Sequence, residues 1–99
     1  MTEEGPDVIE VRPGDTFEIA LESVPATGYT WQEEHASSLL ELLRANDFRA
    51  ASDAVGGGGK EAFEFRALAP GETVIRFQYG RPWEEEVADE RRYTVRISD

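Results

Sequence analysis

Little in this chain of 99 residues could make or break a covalent bond. With no cysteine there is no disulfide, no thiol nucleophile and no thiolate metal site. His35 is the only histidine and stands in a polar stretch beside Glu33 and Glu34. Pairing it with Ser37 or Ser38 would give the outline of a nucleophile and its base. Those serines sit where a helix start would use them as caps, and His35 reads as the solvated end of a strand. Glu84, Glu85, Glu86, Asp89 and Glu90 carry oxygens of the kind calcium takes, but their spacing fits no calcium loop, and a solvated acidic face is the simpler reading. The run Gly56-Gly57-Gly58-Gly59-Lys60 invites a phosphate and fails on spacing. A P-loop would need glycine at Ala54 and Ser or Thr at Glu61, and a dinucleotide loop would need glycine at Glu61. The expectation is a protein that is no enzyme and holds no metal and no cofactor.

What the residues offer instead is binding chemistry in three stretches. In "VPATGYTW", Pro25 fixes φ and Gly28 permits a turn closed to other residues, with small Ala26 and Thr27 between them and Tyr29 after. Such a loop is stiff, with a slim tip suited to a narrow cleft; an ordinary inter-strand turn is the plainer alternative. In "VGGGGKEAF", successive glycines cost entropy on ordering, so close backbone approach to a partner, with main-chain groups bared for pairing, is the reason that remains. In "YGRPWEEE", Arg81 and Trp83 are residue types enriched at binding hot spots, and Pro82 between them limits the entropy lost on docking. A tryptophan folded back onto its own sheet is the competing expectation for Trp83.

The charge narrows the partner. A net charge of −11, from 21 acidic against 10 basic residues, repels phosphate backbones and anionic membranes, so neither nucleic acid nor membrane is expected to bind. Solubility is the simple explanation; steering toward a basic partner, or life in a salty cytoplasm, is the sharper one. No apolar run approaches a membrane span, and "MTEEGPDVIE" lacks the regions of a signal peptide. As written, the chain is expected to be cytoplasmic, with a trimmed periplasmic or secreted form as the alternative. Its length suits one domain over 1–99, and nothing demands more than a monomer.

The elements that must carry these stretches alternate with period two, as in antiparallel sheets with one wet face. Ile9 and Val11 share a face, as do Phe17, Ile19 and Leu21, then Tyr29 and Trp31. Phe63, Phe65 and Ala67 follow, then Ile75, Phe77 and Tyr79, and finally Tyr93, Val95 and Ile97. One segment disagrees: "HASSLLELLRANDFRAAS" places Leu39, Leu42 and Leu43 at helical spacing, with Ser38 and Glu41 as a capping box. A lone helix among strands lacks a face to pack on, so a short helical turn at 37–40 leading into a strand through Leu43 and Phe48 is expected. The whole predicts an all-β, immunoglobulin-like antiparallel sandwich of two sheets with about seven to eight strands, Trp31 taking the buried place on the third strand. A five-stranded barrel is the alternative. In the sandwich the three loops would meet at one end.

Taken in order, these stretches resemble the chagasin family of cysteine peptidase inhibitors. Pro25-Ala26-Thr27-Gly28-Tyr29 is similar to the family's first loop, Gly56-Gly57-Gly58-Gly59 to its glycine loop, and Arg81-Pro82-Trp83-Glu84 to its third. Trp31 and "FRALAPGETVIRF" also look like the family, so the resemblance spans nearly the whole chain. It implies an immunoglobulin-like fold and reversible, tight inhibition of papain-like peptidases by loops 24–29, 55–60 and 80–84. Thr27 and Gly28 would then lie nearest the catalytic thiolate, the glycine loop would pair main chain with main chain, and Trp83 would stack on an aromatic ledge beside Arg81. Val24 and Ala26 depart from the family's asparagine and threonine, removing an amide and a hydroxyl that would brace the loop or meet the enzyme. A non-inhibitory binding module using the same loops is the alternative function.

Overall fold

The computed structural model describes residues 7–51 and 58–99. The alternating segments become seven strands: β1 (Val8–Val11), β2 (Thr16–Ser23), β3 (Thr30–Glu34), β4 (Leu40–Ala50), β5 (Gly59–Ala67), β6 (Gly71–Gly80) and β7 (Val87–Ile97). They form two sheets, one in the order β1-β7-β6-β3 and the other β2-β5-β4, giving the immunoglobulin-like sandwich. One pair departs from the antiparallel rule: β1 runs parallel to β7, Val8 facing Thr94 and Val11 facing Ile97. The chain reaches that position because β1 and β2 belong to different sheets, so β1 cannot return beside its neighbour in sequence.

The alternation places the core. Ile19, Leu21, Trp31, Phe63, Phe65, Ala67, Ile75, Phe77, Val95 and Ile97 are buried, with Ile9, Val11, Phe17, Tyr79 and Tyr93 packed against them. Each of the larger apolar side chains is worth about 1.5–3 kcal/mol when taken fully out of water. Aromatic edges join the core, Phe63 of one sheet meeting Phe77 of the other at 4.9 Å and Phe77 meeting Tyr93 of the adjacent strand at 5.7 Å. On the outer face, the Arg49 guanidinium of β4 grips the Glu18 carboxylate of β2 through both nitrogens. That bridge spans Ala62 of β5, which is 1% exposed although it points away from the core.

The helical spacing around Leu39 builds no α-helix. Leu39 and Leu40 N–H both donate to the Ala36 carbonyl, closing a single turn, and β4 starts at Leu40. Ser38 and Glu41 make no capping box, because Glu41 is already paired opposite Arg66 in the sheet. As a strand, this segment buries Leu40, packs Leu42 on the core and covers the edge of β5; as a helix it would leave that edge open. Its ladder is irregular, with register shifts between Leu42 and Arg44 and between Arg44 and Asp47.

Candidate functional site

The strand order carries the connections β2–β3, β4–β5 and β6–β7 to one end of the sandwich, since Ser23 faces Gly59, Ala50 faces Gly59, and Gly80 faces both Thr30 and Val87. In the first connection Pro25–Thr27 forms a 3₁₀ turn, with Thr27 N–H donating to the Val24 carbonyl and Gly28 N–H to that of Pro25. Gly28 closes it at φ 84°, a left-handed conformation that glycine adopts without penalty. The Thr27 hydroxyl donates to the Val24 carbonyl at 2.6 Å and accepts the Tyr29 N–H at 3.2 Å. Val24 N–H donates to the Tyr79 hydroxyl at 3.1 Å. The loop is thus braced through the backbone of residue 24 and the side chain of Thr27. Pro25, Ala26 and Thr27 all face solvent.

The third connection is built onto the first. Arg81 Nε donates to the Thr27 carbonyl at 3.1 Å, and its guanidinium lies 4.5 Å above the Tyr29 ring. Such a cation over an aromatic face contributes about 0.5–1 kcal/mol where solvent reaches it. Tyr29 stacks on Tyr79 at 5.3 Å, and Tyr79 meets Trp31 at 4.7 Å, so a column of rings runs from the surface to the core. Glu84 N–H donates to the Arg81 carbonyl, making a turn around Pro82 that presents Trp83. Trp83 is 72% exposed, so it does not fold back onto its sheet. One edge of its ring rests on Gly28, where an added Cβ would come within 3.0 Å of Cη2.

Of the glycine run, Gly58 and Gly59 are described, while Gly56 and Gly57 lie outside the described residues. Gly59 has a reason internal to the fold: a Cβ there would meet the Arg49 carbonyl at 2.2 Å and the Phe48 ring at 2.8 Å. Gly58 lies beside the first loop, a Cβ there falling 3.2 Å from the Ser23 carbonyl and 3.3 Å from Val24 Cγ2. Its carbonyl accepts the Ala51 N–H at 3.0 Å.

The remaining residues with chemical potential lie elsewhere. His35 follows the far end of β3 and is half-buried rather than solvated, with Nδ1 2.7 Å from Glu33 Oε1 and its ring edge on Phe65. Ser37 and Ser38 belong to the turn before β4. Three acids of the third loop and β7 face arginines: Glu84 with Arg81, Asp89 with Arg91, Glu90 with Arg92 and Arg76.

Beneath the first loop lies a polar group that the sequence reading did not single out. Glu61 is 4% exposed. Its carboxylate accepts from the Ser23 hydroxyl (2.5 Å), the Thr30 hydroxyl (3.0 Å), Trp31 N–H (3.3 Å) and Asn46 Nδ2 (2.6 Å). The available signal was parity: Glu61 shares the inward face of Phe63 and Phe65, and Ser23 that of Ile19 and Leu21. Polar residues at inward positions need partners.

Comparison with known proteins agrees with this architecture. A sequence model of the family described as Chagasin family peptidase inhibitor I42 matches residues 10–97. Amoebiasin-1 of Entamoeba histolytica is 29% identical over 90 residues, covering 91% of this chain and 87% of that protein. Amoebiasin-2 of the same organism is 31% identical over 74 residues, covering 72% of this chain and 59% of that protein. The crystal structure of EhICP2, a cysteine protease inhibitor from Entamoeba histolytica, aligns with a TM-score of 0.81 at 28% identity, over 92% of this chain and 86% of that one. Leishmania mexicana ICP aligns with a TM-score of 0.64 at 25% identity, over 96% and 90% of the two chains. On these matches, and with three loops gathered at one end of an immunoglobulin-like sandwich, the chain belongs to the chagasin family of cysteine peptidase inhibitors, not to any family of enzymes.

Proposed function

We propose that this chain, as a single inhibitor domain and a monomer, is a reversible, tight-binding inhibitor of papain-like cysteine peptidases that enters their cleft with loops 24–29, 55–60 and 80–84. The observation that carries the reading is the joined pair of loops: the Thr27 carbonyl is held by Arg81, and Trp83 stands exposed against Gly28. Preformed loops lose little entropy on docking, and an interface of standard size, about 1,600 Å², then suffices for nanomolar affinity. Thr27 and Gly28 occupy the space before the thiolate. Arg81 already engages the carbonyl between them, which opposes its turning into the position of a scissile bond. The glycine loop's main-chain pairing falls to the residues before Gly58, because the Gly58 carbonyl and both sides of Gly59 serve the chain's own sheet. Trp83 supplies apolar area on the other wall.

The test is a titration of papain at constant fluorogenic substrate with the purified protein. Activity falling to zero near one equivalent is expected. Full activity at micromolar protein would sink the reading and leave a binding module with some other partner.

A further inference from the structure

Asn46 is the one non-glycine residue among those described with a left-handed backbone, at φ 53°. Side chains other than glycine adopt this conformation at a cost, and asparagine tolerates it better than most. It coincides with the register shift between Arg44 and Asp47, and the Asn46 side chain reaches both Glu61 on the neighbouring strand β5 and the start of β3 in the other sheet. There Nδ2 lies 2.6 Å from Glu61 Oε1 and 2.8 Å from the Trp31 carbonyl, with the Thr30 hydroxyl at 3.3 Å. A carboxylate and a carbonyl accept and cannot donate, so the amide nitrogen must be the group facing them. Glu61 in turn holds Ser23, the last residue of β2, and Thr30 and Trp31, the first two of β3. A buried carboxylate, held from the surface side by an exposed asparagine, therefore grips the chain where it enters the first loop and where it leaves.

We propose that Asn46 and Glu61 form a clamp that seats the first loop, and that they act as positioning residues for the inhibitor, touching no peptidase themselves. Glycine at position 46 would relieve the backbone cost; an asparagine held there by a bulge is accounted for by what its amide does. The effect on potency rests on the inhibitor reading above, whereas the seating of the loop does not.

The test compares the full chain with Asn46→Gly, which keeps the left-handed backbone and removes the amide, and with Glu61→Gln, whose oxygen still accepts from Asn46, Thr30 and Trp31. Ile97→Val, in the core at the far end of β7, serves as a control for stability alone. Amide hydrogen exchange is read residue by residue, beside the inhibition constant for papain. In Asn46→Gly, exchange at Thr27, Gly28, Thr30 and Trp31 is expected to rise about tenfold or more while Ile75 and Val95 hold, because a local opening moves only its own amides. The inhibition constant should rise about tenfold, Glu61→Gln should stay within about threefold of the parent, and Ile97→Val should leave inhibition unchanged. Unchanged exchange across 27–31, or a rise equal to that at Ile75 and Val95, would overturn the clamp. Faster loop exchange with an unaltered inhibition constant would overturn its positioning role. If the parent chain inhibits nothing, the inhibitor reading fails by itself and the exchange data still decide the clamp.

Discussion

Trp83 and Gly28 are a matched pair, because the flat edge of the indole rests where a β-carbon would stand. Trp83 contributes little to the fold at 72% exposure, so its removal should separate binding from stability. Trp83→Ala is expected to weaken peptidase inhibition by about 2 kcal/mol or more, as truncation of hot-spot residues does, with an unchanged melting temperature. An unaltered inhibition constant for the folded variant would remove Trp83 from the interface. Arg81 behaves differently, being shared between the Thr27 carbonyl, the Tyr29 ring and Glu84. Its worth lies in joining two loops, so it is a poorer probe of direct contact with an enzyme.

The glycine run divides at Gly58. Gly59 is a packing residue of β5, jammed against β4, and Gly59→Ala is expected to cost about 1–3 kcal/mol as the strands are forced apart. Urea unfolding checks this; undiminished stability would mean that β4 yields freely. β7 carries a pH response. Burial chiefly, and then the Asp7 carboxylate, raise the Tyr93 phenol above its ordinary value of 10, against the opposing pull of Arg91. A phenol harder to ionise in the fold than in the unfolded chain stabilises the fold below about pH 10, and that contribution is lost as pH climbs through the raised value. Tyr93→Phe keeps the ring against Phe77 and cannot ionise. Above pH 10 its melting temperature should fall less steeply than the parent's, and parallel curves would contradict the assignment.

Charge and shape act together over the whole molecule. With a net charge of −11, association with a peptidase of net positive charge should be steered by the field. Raising salt shortens the screening length to about 8 Å near 0.15 M, so the association rate should fall while dissociation changes little. Stopped-flow measurement across ionic strength decides it; a flat association rate would leave the acidity as a device for solubility. The outer face of the β1-β7-β6-β3 sheet already disperses part of this charge, Arg76 and Arg96 each standing between two glutamates on neighbouring strands. Exposed pairs of this kind contribute about 0–1 kcal/mol each, so they keep that face wet more than they hold it together.

The alternation of Phe17, Ile19 and Leu21, of Phe63 and Phe65, and of Ile75 and Phe77 determined strands with one buried face by itself, because burial on one face is a local, period-two property, while the choice of sandwich over barrel lay in the strand order. The order of the loop motifs likewise determined the family. The segment from Leu39 to Phe48 could not be read so directly, since its helical spacing loses to the open edge of β5, and an edge exists only once the sheet does. Asn46 and Glu61 were illegible as partners for the same reason: 15 residues apart in sequence, they meet on neighbouring strands through a bulge that exists only once β4 pairs with β5. Whether Trp83 faced its own sheet or solvent was also left to the tertiary structure. The indole ends outside because Arg81 and Tyr29 already fill the column beneath the loop, and the surface of Gly28 is the flat ground that remains.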